Sequence, residues 1–297
     1  MLIEQQKDKK VLSALKSRDQ LLKIIRSWFS ENQFIEVETP IVLKTPCMEE
    51  HIDAIHCEDF FLRTSPELYH KRILGEGVGK IYEIGRCFRH GEIGNLHHPE
   101  YTMLEWYRLN SDYKEIMTDT KMLIARIAEK FNGAEINFYE FKLKDLFLDL
   151  VGWNPFVSFN ADRFDQVLCE NVEPYLASVK GAVFLTDYPP EAAALARCVG
   201  EENRYAERWE LYLDGIEIAN AYSELTDSEE QRKRFEQCGI RRKKNKQEVY
   251  PIDEEFLQSL NKIPRAGGAA LGIDRLLMWL MQKESLDNVI PFRIIPN

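Results

Sequence analysis

The sequence of 297 residues has no long apolar run and no cysteine pair of the kind that binds metal. Because no run of about 18 apolar residues occurs, we expect no membrane-spanning helix. The first residues also lack the apolar stretch of a secretory signal. The six cysteines are scattered without a C-x-x-C pair, which favours reduced thiols in a cytoplasmic protein. Cys47, His51, His56 and Cys57 lie close in sequence, but their spacing matches no usual zinc pattern, so we interpret them as loop residues.

An excess of positive charge is also missing. The chain has 49 acidic and 39 basic residues and a formal net charge of −10. Proteins whose main partner is a nucleic acid are more often basic, because phosphate neutralisation dominates such binding. The basic run at residues 241–246 is short, and we interpret it as a solvated loop rather than a docking patch. The charge therefore argues against a nucleic acid as the chief partner.

Repeats, low-complexity segments and a composition break that would mark a second domain are absent as well. A hydrophobic fraction of 44% is enough for a sizeable core. We therefore expect residues 1–297 to form one domain.

Two runs of alternating residues, 80–89 and 100–108, predict a pair of half-buried strands. On the second run Tyr101, Met103, Glu105 and Tyr107 share one face, because side chains alternate across a strand. The polar loop between the runs carries an arginine at one end and two histidines at the other. Such a loop offers cations to a polyphosphate, so the sequence predicts a nucleoside triphosphate site here.

Helical spacing of apolar residues predicts an amphipathic helix over residues 13–33, followed by a strand over 34–42. Ser65-Pro66-Glu67 is typical of a helix start. A further helix is expected over 112–132, ending at Gly133, and a buried strand over 182–185. About a dozen residues are expected to precede the first helix.

Asp214-Gly215 predicts a hairpin with a two-residue turn. Such a turn pairs Leu213 with Ile216, Tyr212 with Glu217, and Glu210 with Ala219. Glu210 and Glu217 then lie on one face as diagonal neighbours about 7 Å apart, a separation at which two carboxylates can share a metal ion.

Three segments together resemble the signature motifs of the class II aminoacyl-tRNA synthetases in their lysyl form. These segments are Phe34-Ile-Glu-Val-Glu-Thr-Pro40, the run from Arg86 to Leu109, and Gly267-Gly-Ala-Ala-Leu-Gly-Ile-Asp-Arg275. Three further segments are similar to sequences specific to the lysyl members of that family. They are Thr64-Ser-Pro-Glu67, His97-His-Pro-Glu-Tyr101 and Glu217-Ile-Ala-Asn220-Ala-Tyr-Ser-Glu224. The resemblance implies an α+β fold, the class II catalytic domain, with a mainly antiparallel sheet flanked by helices. It also implies a homodimer formed through the first motif, and no anticodon-binding domain.

The resemblance also implies the roles of the nucleotide-binding residues. Arg89 would contact the α-phosphate and the substrate carboxylate, whereas His97 and Arg275 would contact the γ-phosphate; Arg89 and Arg275 are the catalytic candidates. Tyr101 would stack on adenine, with Arg275 covering the other side. Glu210 and Glu217 would hold Mg²⁺ beside ATP.

In the amino-acid pocket, the resemblance places Glu67 at the substrate's amino group. It places Glu105, Tyr107 and Glu224 at the side-chain end, with Asn220 and Tyr222 between. Several acids around one ligand repel one another unless a cation binds, so a diamine acid such as lysine or β-lysine fits and aspartate does not.

The chain departs from the family pattern at a few positions. Gly91, followed by Glu92, stands where the second motif usually has glutamate, and His98 stands where asparagine is more frequent. Ala219 replaces a glycine of lysyl-tRNA synthetases, and a methyl group there should narrow the pocket. Strand parity separates Glu217 from Asn220 and Glu224, so the strand must bulge or end between them if all three face the ligand.

The whole chain resembles the freestanding lysyl-tRNA synthetase paralogues that modify elongation factor P. These ligases adenylate lysine or (R)-β-lysine with ATP and transfer it to a lysine side chain of that factor. One alternative is a truncated synthetase that charges tRNA or makes free lysyl-adenylate. A second alternative is a non-catalytic regulatory paralogue that binds an amino acid.

Overall fold

The structure is a computed structural model that describes residues 2–200 and 204–293. Its strands, in chain order, are β1 (Ile35–Glu36), β2 (Val42–Leu43), β3 (His56–Cys57), β4 (Phe60–Leu62), β5 (Lys80–Phe88), β6 (Glu100–Leu109), β7 (Phe138–Lys142), β8 (Ala182–Tyr188), β9 (Cys198–Val199), β10 (Tyr205–Leu213), β11 (Ile216–Ser223) and β12 (Ala266–Gly272). The α-helices are α1 (Leu2–Glu31), α2 (Glu67–Gly75), α3 (Tyr113–Asn132), α4 (Leu143–Val151), α5 (Ala161–Val167), α6 (Glu173–Ser178), α7 (Ser228–Lys244), α8 (Glu254–Leu260) and α9 (Ile273–Leu280).

A mainly antiparallel sheet organises these elements. Its strand order is β1-β5-β6-β12-β11-β10-β8-β7, with β9 paired to β10. The β1–β5 and β7–β8 pairs are parallel, and the other neighbours are antiparallel. Strands β2, β4 and β3 form a separate small sheet. The predicted α+β class with a mainly antiparallel sheet is confirmed.

One face of the sheet belongs to the main hydrophobic core. Leu104 and Trp106 of β6 and Leu271 of β12 point into it, where they meet residues of α1, α3 and α9. Because neighbouring residues alternate across a strand, Met103, Glu105 and Tyr107 point to the opposite face. The helices therefore bury one face and leave the other for a site.

The first helix is longer than the sequence predicts. We expected it to begin near residue 13, but α1 begins at Leu2. The added residues have little apolar periodicity, yet Leu, Gln, Lys and Glu are good helix formers, so propensity extends the helix beyond its packed part. The following strand is shorter than expected: β1 ends at Glu36, and Pro40 precedes a second short strand, β2. A proline lacks the N–H group that would continue the ladder.

The remaining helix and strand predictions are confirmed within a few residues. Asp112 caps α3 through a capping box with Glu115, and Gly133 ends the helix in the left-handed conformation, with φ of 72°. Ser65 Oγ accepts the backbone N–H of Glu67 at 3.0 Å at the start of α2. No helix in residues 2–200 or 204–293 is long and apolar enough to cross a membrane.

The β10–β11 hairpin contains a bulge that corrects one predicted pair. Tyr212 pairs with Glu217 as expected, but Glu210 pairs with Asn220 rather than with Ala219. Ile218 is the additional residue, because the register shifts by one between the two pairs. The bulge predicted between Glu217 and Asn220 is therefore present.

Candidate active site

A row of polar side chains crosses the free face of the sheet. Cα pairing aligns Glu210, Asn220, Ala270, Glu105 and Glu83 on five neighbouring strands. Residues in register on adjacent strands point to the same face, so the bulge is what brings Asn220 level with Glu105. Ala270 contributes only a methyl group at the centre of the row and leaves room above the sheet.

An open cavity lies on this face; the space inside it, including the part open to solvent, is about 760 Å³. Six residues predicted to bind ATP or substrate line it: Arg89, His97, Tyr101, Glu217, Asn220 and Arg275. The structure thus brings together the second motif, the hairpin and the third motif, which are far apart in sequence.

Arg275 enters this cavity from the first turn of α9. Its Nη1 donates to the backbone oxygen of Glu217 at 2.9 Å, and its Nη2 lies 2.8 Å from His97 Nε2. Because a guanidinium can only donate, His97 Nε2 must be the acceptor in this contact. Burial and the charge of Arg275 both lower the pKa of His97, which favours the neutral ring. Arg275 and His97 are therefore fixed side by side.

Arg89 covers the aromatic platform at the other side of the cavity. Its guanidinium carbon lies 5.2 Å from the centre of the Tyr101 ring. The Tyr101 hydroxyl donates to the backbone oxygen of Thr64 at 2.8 Å, which fixes the ring. Arg89 is thus the cation on the Tyr101 ring and Arg275 contacts His97; the placement of adenine between Tyr101 and Arg275 stays a prediction.

The loop between β5 and β6 retains an acid close to Arg89, although Gly91 stands where the second motif usually has glutamate. Gly91 has φ of +78°, a left-handed conformation that glycine adopts without strain. Glu92 lies 3.5 Å from Arg89 and 3.7 Å from His97. The acidic contact is therefore supplied one residue later in the chain. His98 also lines the cavity, and its Nδ1 lies 2.6 Å from the backbone oxygen of Glu100.

The amino-acid pocket contains a cation that the sequence argument missed. Lys71 of α2 is fully buried, with its Nζ 2.5 Å from Glu67 and 2.5 Å from Glu224. The hydroxyl of Tyr222 donates to the other oxygen of Glu67 at 2.9 Å. The acids are thus held together by an internal ammonium as well as by neutral donors.

Glu224 is nevertheless short of hydrogen bonds. It is 2% exposed; its Oε2 contacts the Lys71 ammonium at 2.5 Å, whereas its Oε1 has no hydrogen-bond partner within the described chain. Burial raises the pKa of Glu224 to about 8, with Glu67 and Glu105 adding to the effect and Lys71 opposing it. Buried acceptors without donors are uncommon in proteins, so Oε1 indicates a place for a ligand's donor.

Glu105 is held by neutral donors at the centre of the sheet. Ser65 donates to its Oε1 at 2.7 Å and Tyr107 to its Oε2 at 3.0 Å. Burial and the charge of Glu105 raise the pKa of Tyr107, which therefore remains a donor. Ser65 serves twice, because it also accepts the first N–H of α2 and so joins Glu105 to the helix that carries Glu67.

Gly268 of β12 lies against the amino-acid pocket, and its lack of a side chain leaves space there. A Cβ atom at this position would lie 2.3 Å from the Tyr107 ring and 2.7 Å from Glu224 Oε1. Gly268→Ala is therefore expected to raise the Michaelis constant (KM) for the amino acid at least about tenfold, because a well-packed pocket must shift to accept the methyl group. KM for ATP should change much less. An amino-acid KM equal to that of the wild type would place the substrate elsewhere.

The two predicted Mg²⁺ ligands differ in how many of their carboxylate lone pairs already accept hydrogen bonds. Glu210 accepts from Tyr188 and Tyr212, each at 2.6 Å, and from Arg208 at 2.5 Å, so most of its lone pairs are occupied. Glu217 lines the cavity, and burial, followed by the charge of Glu210, raises its pKa. A cation would relieve that repulsion, so Glu217 fits a hard metal ion.

The structure does not assemble the two glutamates into a larger metal cluster. In residues 2–200 and 204–293, no group of three or more His, Cys, Asp or Glu side chains forms a metal site. Metal binding by Glu210 and Glu217 therefore stays a prediction. His56 and Cys57 were interpreted as loop residues, but they form the short strand β3, and His56 contacts Glu248 at 2.8 Å.

Ala219 lies where the main hydrophobic core meets the cavity. It belongs to the core and also lines the cavity. It pairs with Leu211 and Leu271, which point to the core face. The narrowing of the pocket by its methyl group stays a prediction.

Lys71, His70 and Arg208 are site residues that the sequence argument did not find. Lys71 and His70 follow Glu67 by four and three residues, and helical spacing places all three on one face of α2. That spacing was the available signal. Arg208 donates to Asn220 Oδ1 at 2.9 Å as well as to Glu210, and no motif marked it.

Comparison with known proteins supports the resemblance of the motifs. The sequence model for class II tRNA synthetases (D, K and N) matches residues 3–295. The chain is similar to elongation factor P–(R)-β-lysine ligases, with 34% identity to that of Hamiltonella defensa, 32% to that of Photorhabdus laumondii and 33% to that of Erwinia tasmaniensis. Each match covers 95% of this chain and 95% of the relative. The chain therefore belongs to the class II tRNA synthetase family (D, K and N).

Proposed function

We propose that this enzyme activates lysine or (R)-β-lysine with ATP and transfers it to a lysine side chain of elongation factor P. The observation that carries the proposal is the buried carboxylate of Glu224, whose Oε1 has no partner in the described chain, directly after β11, the strand whose Asn220 lines the cavity with Arg89 and Arg275. Such a pocket suits a ligand with a distal ammonium beside a polyphosphate. The relatives named as elongation factor P–(R)-β-lysine ligases support the choice of reaction.

Activation joins the substrate carboxylate to the α-phosphorus of ATP and releases pyrophosphate. Arg89 is placed to contact the attacking carboxylate and the α-phosphate, and Arg275 with His97 to hold the γ-phosphate. Positioning and charge neutralisation supply most of the rate in such phosphorus chemistry. Mg²⁺, when bound, would neutralise phosphate charge, and Glu217 with Glu210 are the residues proposed to hold it. Tyr101 offers its ring to the adenine.

Recognition of the amino acid depends on the buried acids. Glu67 is proposed to face the amino group near the carboxylate, whereas Glu105, Glu224 and Tyr107 read the distal ammonium. Asn220 and Tyr222 lie between the two ends. Since Lys71 is shared by Glu67 and Glu224, it offsets part of the repulsion between these acids and leaves Oε1 of Glu224 for the ligand.

In the second step the amine of the acceptor lysine attacks the adenylate carbonyl, an amide bond forms, and AMP leaves. Net charge argues for a protein acceptor, since a formal charge of −10 repels a polyanion. A basic loop that presents a lysine suits an acidic entrance.

A homodimer of the class II catalytic domain and a cytoplasmic location complete the proposal. Apolar side chains on α1 and the first motif are exposed, including Leu12, Leu15 and Ile35, and a partner copy would bury them. The cysteines in the structure are free, which suits a reducing compartment. Light scattering of the purified protein tests the dimer.

The reaction itself is tested by incubating the protein with ATP and labelled lysine or (R)-β-lysine, with elongation factor P and bulk tRNA offered in parallel. Label on the factor supports the proposal, and the two amino acids compared at equal concentration give the preferred substrate. Label on tRNA at a comparable rate supports a truncated synthetase instead. Absence of any adenylate supports an amino-acid-binding regulatory protein.

Glu224 gives the proposal a pH signature. With a pKa near 8, the carboxyl is largely protonated at pH 6.5, whereas a bound ammonium favours the carboxylate. Lysine binding then releases a proton, so the affinity should rise with pH up to about 8 and level off, by at most about tenfold per pH unit. Isothermal titration calorimetry across pH 6.5–9, in two buffers of different ionisation enthalpy, measures the affinity for lysine and the number of protons released.

Glu224→Gln removes this signature and should raise KM for lysine about ten- to a hundredfold at pH 8.5, the cost of losing a buried hydrogen bond to a charged group. The difference from the wild type should shrink at pH 6.5, where the wild-type carboxyl is itself neutral. Glu76→Gln is the matched control, because Glu76 lies at the surface with Lys262. A lysine affinity that is independent of pH and unchanged in Glu224→Gln would remove Glu224 from the pocket.

A further inference from the structure

His70 occupies an unusual place between two buried carboxylates. The residue lies on α2 and is fully buried. Its Nε2 is 3.0 Å from Glu83 Oε2 on β5, and its Nδ1 is 3.7 Å from Glu105 Oε2 on β6. Its ring packs edge-on against Tyr107 with centroids 5.2 Å apart. Nδ1 has no hydrogen-bond partner in the described chain, so a shift of less than 1 Å toward Glu105 would satisfy it.

The two acids on either side of His70 differ in their other partners. Glu83 is also bound by Arg63 Nη1 at 2.6 Å and by the Thr39 hydroxyl at 2.7 Å. Glu105 receives neutral donors from Ser65 and Tyr107. Among the described residues, His70 is the one basic side chain within 4 Å of Glu105. Lys71, the next residue on the helix, contacts Glu67 and Glu224 instead.

The surroundings favour a ring that carries a proton on both nitrogens. Burial disfavours the imidazolium, but hydrogen bonding to Glu105 and Glu83 and the charges of both outweigh burial and raise the pKa of His70. Nε2 then donates to Glu83 at 3.0 Å, and the proton on Nδ1 faces Glu105 at 3.7 Å, where a shift of less than about 1 Å would complete the second hydrogen bond. A neutral ring could donate to only one of them.

We propose that His70 is a positioning residue for amino-acid activation, which fixes the Glu105 carboxylate toward the substrate's distal ammonium by joining it to the Glu83–Arg63–Thr39 cluster. Thr39 directly precedes Pro40 of the first motif, and Arg63 Nη1 also contacts the Thr39 hydroxyl at 2.8 Å. The chain of contacts therefore runs from the substrate pocket to the segment proposed to meet the partner copy. This inference rests on the proposed function, because it assigns His70 to that reaction's amino-acid pocket.

The closeness of Gly85 to this cluster supports a built arrangement. A Cβ at Gly85 would lie 2.0 Å from Arg63 Nη2 and 2.9 Å from Glu83 Oε1. The absence of a side chain there is what lets the guanidinium lie flat against β5 and reach Glu83. The Glu83–Arg63–Thr39 cluster is therefore packed so closely that a methyl group at Gly85 would displace the Arg63 side chain.

The test compares His70→Leu, His70→Gln and Glu105→Gln by lysine-dependent ATP–pyrophosphate exchange. His70→Leu should raise KM for lysine about ten- to a hundredfold, as expected when a buried charged hydrogen bond is lost, while KM for ATP stays within about twofold. His70→Gln keeps one donor and should fall between His70→Leu and the wild type. His56→Leu, at an exposed histidine that contacts Glu248, is the matched control.

The double variant His70→Leu with Glu105→Gln separates positioning from general packing. If His70 acts through Glu105, the double variant should be no worse than Glu105→Gln alone, because residues acting through one group are not additive. Independent, multiplicative effects would overturn the proposal, and so would a lysine KM in His70→Leu within about twofold of the wild type. If His70→Leu does not fold, His70→Gln and its double variant carry the same comparison. Wild-type protein without any lysine-dependent exchange would instead refute the proposed function.

Discussion

Replacing Arg89 or Arg275 with alanine is expected to lower lysine-dependent ATP–pyrophosphate exchange by at least about a hundredfold, the scale of losing one preorganised electrostatic contact. Both guanidinium groups line the cavity proposed for the triphosphate. Both are held in place before ATP binds, Arg89 over the Tyr101 ring and Arg275 by the Glu217 backbone and His97. The side chains are therefore already ordered in the free protein, so ATP binding loses no further side-chain entropy at these two residues. Alanine then removes the full electrostatic stabilisation.

The control for this prediction is Arg232→Ala, which removes an arginine exposed on α7 and paired with Glu254. It should leave exchange near the wild-type rate, because exposed ion pairs contribute little. The single-turnover rate of adenylate formation distinguishes a loss of chemistry from a loss of ATP binding. Near-normal exchange in both Arg89→Ala and Arg275→Ala would remove the nucleotide assignment.

The strands that carry the site could be predicted from sequence because their pattern is local. Alternation along residues 80–89 and 100–108 gave β5 and β6 within one residue, and it placed Tyr101, Glu105 and Tyr107 on one face. The end of α3 was readable for the same reason, since Gly133 lies next to the helix end that it stabilises, whereas the capping box of Asp112 and Glu115 was not predicted. Signals of this kind need no knowledge of the tertiary structure.

The order of the strands and the partners within the pocket could not be obtained in this way. The parity of β11 showed that a bulge was needed, but which residue it inserts depends on the packing of Leu211 and Leu271 in the core. The start of α1 was missed because its first residues have helix propensity without apolar periodicity. The motifs supplied the grouping of distant segments that local patterns could not.

The charges in the amino-acid pocket show most clearly what could not be predicted from sequence. Counting Glu67, Glu105 and Glu224 as acids around one ligand led to the expectation of strong mutual repulsion. The structure adds Lys71 between two of them and His70 beside the third. Both residues lie on the same helical face as Glu67, so the information was present in the spacing. Without the fold, however, that face could equally have pointed to solvent.

Lys71→Met is expected to destabilise the protein by about 3–5 kcal/mol at pH 8.5, the usual cost of removing one partner from a buried ion pair. Lys71 and both of its partners, Glu67 and Glu224, are buried, so no water replaces the lost ammonium. The side chain of methionine is apolar and similar in length, which limits the cavity left behind. Urea denaturation followed by tryptophan fluorescence measures the difference in unfolding free energy.

The pH dependence of this loss has a definite sign. The pKa of Glu224 is about 8 with Lys71 present, and removing a cation raises it further. At pH 6 the variant can therefore protonate Glu224 and avoid an uncompensated buried charge, so the destabilisation should be smaller there than at pH 8.5. Free lysine, whose distal ammonium can approach the same acids, should raise the melting temperature of Lys71→Met more than that of the wild type.

Lys262→Met is the matched control, since Lys262 forms an ion pair with Glu76 at 2.8 Å in which both side chains are more than half exposed. That variant should lie within about 1 kcal/mol of the wild type at either pH, because solvent screens such pairs. Equal stability of Lys71→Met and wild type at pH 8.5 would show that Glu67 and Glu224 do not depend on an internal ammonium. The acids would then have to be neutral in the free enzyme, and the pocket could read the substrate's positive charge only after giving up their protons.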